Sequence, residues 1–194
     1  WNPGTEQEIF NLDELVDAFS FERINKSGAR FDVAKAKWFN EHYIKKMDDT
    51  LLISEVNEKL NNVNLAAQLV KLNKDRVTFV DEIISIVPYI FEAPKVYDEQ
   101  TALKAWNDLA KQAMPEIIEL VNGIIDADFK AKNIHNVLWE GLDAKEIKPG
   151  KVMQALRLAI TGEGKGPDLM LMLEILGKKE VGTRIEAALV KLGE

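Results

Sequence analysis

Three glycines at alternate positions, Gly162, Gly164 and Gly166, interrupt the stretch Ala159-Ile160-Thr161-Gly162-Glu163-Gly164-Lys165-Gly166-Pro167-Asp168-Leu169, with Arg157 just before it. Residues without a Cβ let backbone amides and carbonyls approach a ligand closely, and a proline after them stiffens the exit and suits the first turn of a helix. Arg157 and Lys165 add cationic donors, and the amides of a following helix N-terminus add more. Donors, open peptide groups and little side-chain bulk suit an unstacked nucleobase. The same residues also read as a helix C-cap at Gly162 and a helix start at Pro167, with no ligand at all.

Catalytic chemistry has less support. His42 and His135 are the only histidines, and neither lies near a serine nucleophile motif or a second metal-spaced ligand. Both read as structural or surface residues. The acidic pairs Asp48-Asp49, Asp81-Glu82 and Asp126/Asp128 stand where helix starts favour negative charge. Gly162-Glu163-Gly164-Lys165-Gly166 lacks the spacing and the Lys-Ser/Thr end of a phosphate-binding P-loop. Without cysteine, disulfides and thiolate metal sites are excluded. No catalytic residue, metal site or cofactor is expected. A small-molecule enzyme using acidic side chains inside a bundle stays open as a remote reading, to be judged by whether carboxylates cluster in the interior.

The elements holding these residues read as helices almost throughout. Leu12, Leu15, Val16 and Phe19 follow the i, i+3, i+4, i+7 pattern behind Asn11 as N-cap, with Glu14 completing a capping box. Val80, Ile83, Ile84 and Val87 repeat the pattern behind Thr78 until Pro88 stops it. Further apolar sets occur at Leu103, Trp106, Ala110 and Ala113, at Leu169, Met172 and Leu173, and at Val181, Ile185, Ala188 and Leu189. Trp38, Phe31 and Phe39 read as core on the same grounds. The expected fold class is all-α, with about nine to eleven helices joined by short loops and no solenoid repeat. Breakers at Met47-Asp48-Asp49 and Ala93-Pro94-Lys95 divide the chain into 1–47, 48–94 and 95–194, packed in an elongated, curved arrangement.

A chain of 194 residues with 46% hydrophobic and 29% charged residues fits a water-soluble globular protein. No apolar run approaches the roughly 20 residues that span a bilayer, and Trp1-Asn2-Pro3-Gly4 does not read as a signal sequence. A cytoplasmic protein with no membrane partner is expected. Its turn-like start without Met suggests a piece of something longer. The net charge of −7 argues against DNA and against non-specific polyanion binding. Distribution matters more than the sum: Lys145 to Glu194 carries nine basic against seven acidic residues, and Ser20 to Asp48 seven against four. Two mildly basic zones around an acidic middle are compatible with a selective RNA partner.

Ser20 to Ile44, SFERINKSGARFDVAKAKWFNEHYI, resembles the stem-contact region of bacterial glutamyl-tRNA synthetases, through the Lys26-Ser27-Gly28-Ala29 turn, Phe31-Asp32, the Lys35 helix, Trp38, Asn40 and Tyr43-Ile44. A second match runs from Pro149 to Leu189, with Arg157, Thr161-Gly162, Gly166-Pro167, Leu169, Leu176-Gly177-Lys178 and Arg184-Ile185. The resemblance keeps its order over nearly the whole chain. It implies the tRNA-binding part of a class I aminoacyl-tRNA synthetase: a stem-contact region (1–47), then two helical anticodon-binding domains of the helix-cage type (48–94 and 95–194). The family's ATP-binding domain, with its HIGH-like and KMSKS-like signatures, precedes the matching segment, and neither signature occurs here. The resemblance therefore implies a fragment that binds tRNA(Glu) as a monomer and is inactive alone. Its parent would use ATP and Mg to join glutamate to tRNA(Glu) through a glutamyl-adenylate.

The family pattern also assigns residues. Arg76 falls where discriminating members carry an arginine that reads the last anticodon base, at what reads here as the start of the helix bearing Val80 and Ile84. A planar guanidinium makes two parallel hydrogen bonds to a base edge, which lysine cannot imitate. Arg157, Pro167 and Leu169 match positions framing the other anticodon bases. Gly166 stands where some members have a hydroxyl residue, which leaves backbone contact there. Lys26, Arg30, Lys35 and Lys37 would meet phosphates of the tRNA inner arm, as would Lys165 near the anticodon, positioning the RNA without reading its sequence. The competing reading from composition is a helical protein-interaction module, favoured by the acidity and the leucine- and isoleucine-rich helices.

Overall fold

Short polar side chains open most of the helices and so set where each element begins. The computed structural model describes residues 1–26, 28 and 30–193, and every regular element among them is helical. Ten α-helices follow in order: α1 (Leu12–Ala18), α2 (Val33–Lys46), α3 (Asp49–Leu60), α4 (Val63–Asn73), α5 (Glu82–Ser85), α6 (Glu99–Ala105), α7 (Asp108–Gly123), α8 (Ala131–Ala144), α9 (Met153–Thr161) and α10 (Leu169–Lys191). The side chains of Asn11, Asp32, Asp48, Asn62, Asp98, Asn107 and Asp168 each accept a hydrogen bond from a first-turn amide, satisfying donors the helix itself cannot. The capping box read from Asn11 and Glu14 is present in both directions, at 2.8 Å each.

Helices α3 and α4 pair closely, while α7, α8, α9 and α10 pack around one another. One hydrophobic core runs through both groups, with Leu52, Leu69 and Ile83 fully buried in the first and Met114, Ile134, Leu138, Leu156 and Met172 in the second. Each such side chain contributes about 1.5–3 kcal/mol of burial. Helix α10 is broken at Gly177, whose φ of 77° and ψ of 156° lie outside helical space and split the element in two. Glycine adopts that conformation without a Cβ penalty.

Several sequence expectations need correction. The apolar period from Leu103 to Ala113 spans two helices, because Trp106 closes α6 and Asn107 caps α7. The single helix expected over Val80 to Val87 shrinks to the four residues of α5. There the Glu82 carboxylate accepts from the Thr78 and Phe79 amides, at 2.7 and 3.0 Å, and holds the preceding residues in a turn. Arg76 accordingly lies in a 3₁₀ turn, Lys74–Arg76, that follows α4, and opens no helix. Trp38 and Phe31 are not core: they are 46% and 78% exposed, and Phe39 is half-buried. The apolar face of α1 is likewise uncovered, with no buried residue in the helix. The interior of the described residues holds no Asp or Glu, so the acidic-bundle enzyme reading loses its requirement.

Candidate nucleic-acid interface

Arg157 projects from α9 into a half-buried position one turn before the glycine loop. Its Nη1 is buried without a hydrogen-bond partner. An orphaned buried donor costs about 1–3 kcal/mol, which a hydrogen-bonding partner reaching it would offset. Burial pushes the guanidinium below its ordinary range, Tyr89 and Asp168 pull it back up, and the positive charge of Arg76 adds to the lowering. Tyr89 belongs to the 3₁₀ turn Pro88–Ile90 and is buried. Its phenol is pushed up by burial and by Glu163, with Arg157 and Arg76 opposing. Arg76 itself is exposed. The fold thus brings Arg76, Tyr89 and Arg157 into mutual electrostatic reach although 81 positions separate the two arginines.

Gly166 sits between the last two. A Cβ there would stand 3.0 Å from Arg157 Nη1 and 3.2 Å from Tyr89 Oη, so its bareness leaves room for both groups to converge. The other two glycines do different work. Gly162 has φ of 78° and caps α9, and a Cβ would lie 2.5 Å from the Val96 carbonyl oxygen. Gly164 would collide with Thr101 Oγ1 at 2.1 Å. The Asp98 amide donates to the Gly162 carbonyl at 2.8 Å, while Thr161 Oγ1 donates to the Arg157 carbonyl at 2.8 Å. The first half of the loop is therefore stitched to the start of α6, as the ligand-free C-cap reading requires. Its second half faces Arg157.

The helix start after the loop also differs from expectation. Pro167 is buried and precedes the N-cap, while the Asp168 side chain accepts from the Leu171 amide at 2.8 Å. With its cap already an anion, this N-terminus is no open seat for a phosphate. Leu169 is only 7% exposed. It nevertheless lines a cavity of ≈ 480 Å³ together with Arg157, Gln154 and Gly164, whose far wall is supplied by α8. Lys165 is exposed and lines a neighbouring cavity of ≈ 440 Å³ with Thr101, Lys104 and Gln154.

In the N-terminal zone, Lys26, Arg30 and Lys37 are exposed and form no ion pair among the described residues. Lys35 is engaged: its Nζ meets Glu8 at 2.5 Å and lies 5.8 Å from the Phe39 ring centroid. Ser27 and Ala29 of the family turn lie outside the described residues. Among those residues, no group of three His, Asp or Glu side chains could hold a metal ion. No helix is long and apolar enough to cross a membrane.

The roles of two residues do not follow from the sequence, although Arg184 stands in the family match. Arg184, 3% exposed, donates from Nη1 to the carbonyls of Tyr89 and Ile160 at 2.5 and 2.9 Å, and from Nε to Glu180 at 2.8 Å. It ties α10 to the Tyr89 turn and to the end of α9. Tyr89 carried no signal of its own in the sequence, since its role depends on a partner 68 positions away.

The model of the anticodon-binding domain family matches residues 31–189. The glutamate–tRNA ligase of Cytophaga hutchinsonii is 42% identical over all of this chain, and that of Flavobacterium psychrophilum 40% identical over 99% of it. The chain spans 38% and 39% of the lengths of these two relatives. Among solved structures, a glutamate tRNA ligase from Elizabethkingia meningosepticum, in complex with its amino acid, superposes with a TM-score of 0.87 at 35% identity. That match covers 99% of this chain and 39% of the ligase.

Proposed function

Because the chain belongs to the anticodon-binding domain family, we propose that it is the tRNA-recognising portion of a glutamate–tRNA ligase and that tRNA(Glu) is its partner. The observation that carries this reading is the unpartnered Nη1 of Arg157, held beside Tyr89 and Gly166 with Arg76 in reach. A half-buried guanidinium with an unpaired donor fits a base edge, and the apolar wall at Leu169 fits the base face. Arg76 reads the last anticodon base, and Arg157, Pro167 and Leu169 frame the others, with Gly166 offering backbone.

Lys26, Arg30, Lys37 and Lys165 meet phosphates, and Lys35 joins them once it exchanges Glu8 for RNA. The division into 1–47 for the inner arm and 48–94 with 95–194 for the anticodon follows the same reading, in a curved monomer of the cytoplasm. The parent enzyme attaches glutamate through an ATP-dependent adenylate in a separate catalytic domain. ATP and Mg belong to that domain. The uncovered apolar face of α1 would suit the interaction-module alternative, but the family match favours the tRNA reading.

Gel-shift titration of the full chain with tRNA(Glu) and an unrelated tRNA, across a salt series, tests the reading. Selective binding that weakens steeply with salt supports it. Equal binding of both RNAs, or none at low salt, contradicts it.

A further inference from the structure

We infer that His135 and Trp139 form a stacking platform for an unpaired nucleobase, on the wall of the Arg157 cavity that no family motif assigns. The inference rests on the RNA-binding reading above. His135 and Trp139 lie one turn apart on α8, a spacing that places side chains on the same helix face. Their rings stack with centroids 3.9 Å apart and planes inclined by 14°. Both line the ≈ 480 Å³ cavity shared with Arg157, Gln154, Met153 and Leu169.

The pair is built from the inside out. Ile134, Leu138 and Leu142 of α8 are fully buried and anchor the helix, which turns the His135 side toward the cavity. Trp139 is half-buried and backs the imidazole, whereas His135 is exposed. One imidazole face is therefore occupied by indole and the other is open, which is the geometry of a half-made stack. A flat ring preset by a neighbour loses little freedom when a third ring joins it, and base–aromatic stacking tolerates any base because every base has a π-face. The Arg157 side chain lines the same cavity and brings a guanidinium to the edge of a base stacked in this way. Stacked pair and guanidinium around one cavity define a seat for one nucleobase.

The test uses the full chain, a tRNA(Glu) transcript, and transcripts with a single abasic nucleotide at each anticodon position in turn. H135A is expected to raise the Kd for the intact transcript roughly tenfold, the scale of one lost base stack, with an unchanged circular dichroism spectrum since the residue is exposed. H135F, which keeps a flat ring, should bind like the parent, and H135L should bind like H135A. One abasic transcript should be indifferent to H135A, which identifies the stacked base. The platform is overturned if H135A leaves the Kd unchanged, if H135F and H135L behave alike, or if H135A weakens every abasic transcript by the same factor. R157A separates the two levels: weakening by R157A without weakening by H135A removes the platform and keeps the RNA reading. No binding of tRNA(Glu) by the unaltered chain removes both.

Discussion

Arg184 donates a hydrogen bond from Nη1 to the main-chain carbonyl of Tyr89 at 2.5 Å, across 95 positions of sequence. The same nitrogen serves the Ile160 carbonyl at 2.9 Å. A buried cation in the second half of α10 thereby fixes both the turn that carries Tyr89 and the end of the helix that carries Arg157. R184M removes the donors and leaves two interior carbonyls without partners, a loss of about 2–4 kcal/mol. Chemical denaturation should show a lower midpoint with little change in slope, and binding of tRNA(Glu) should weaken as well. Parent-like stability would mean that water or repacking satisfies these carbonyls.

The three loop glycines separate into two functions, and substitution resolves them. G162A places a Cβ at positive φ and against the Val96 carbonyl, so it should cost about 2 kcal/mol or more of stability. G164A should also destabilise, through Thr101. G166A meets only the flexible end of Arg157 and the Tyr89 hydroxyl, at 3.0 and 3.2 Å, and should shift RNA affinity while leaving the melting temperature nearly unchanged. A uniform loss of stability across all three, with affinity untouched in G166A, would contradict this division.

How much of this was legible beforehand differs between local and long-range features. The capping box of α1 and the sites of most breakers follow from neighbouring residues and could be read directly. Arg76 was misplaced at a helix start because its setting depends on Glu82, whose side chain bonds back to the turn in place of a longer α5. The alternating glycines looked like one device, but their neighbours Val96, Thr101 and Arg157 come from three different parts of the chain. Trp38 and Phe31 fit a core by spacing, yet spacing shows only which residues share a face and nothing about what covers that face. His135 reads as a solitary histidine when only other histidines and metal-ligand spacings are considered, whereas Trp139 four positions on is the sign of a pair.

Asp98 caps α6 through Thr101, whose side-chain and backbone hydrogen bonds hold its carboxyl below the usual 3.8. A carboxylate with a depressed folded-state pKa contributes stability above its unfolded pKa and loses it as pH falls through the folded value. D98A should therefore lower the melting temperature at pH 7, and the gap to the parent should close as the pH drops below 3.8. A gap independent of pH would show that the carboxylate's charge plays no part in the cap.

Arg157 should not be replaceable by lysine. An ammonium keeps the positive charge but cannot offer the planar N–H that Arg157 directs beside Gly166. R157K should lose nearly as much affinity for tRNA(Glu) as R157A, roughly 1–3 kcal/mol in each case. Full rescue by lysine would reduce the role of Arg157 to charge alone.

The most direct test concerns Arg76 and the base it reads. Dissociation constants should be measured for the parent chain and R76A, each against tRNA(Glu) and a transcript altered only at the last anticodon base. The parent chain is expected to lose roughly 1–3 kcal/mol of affinity on the base change, and R76A to bind both transcripts alike, near the weaker parent value. An equal loss for R76A on both transcripts, or a parent chain indifferent to the base, would contradict the claim that this surface reads an anticodon.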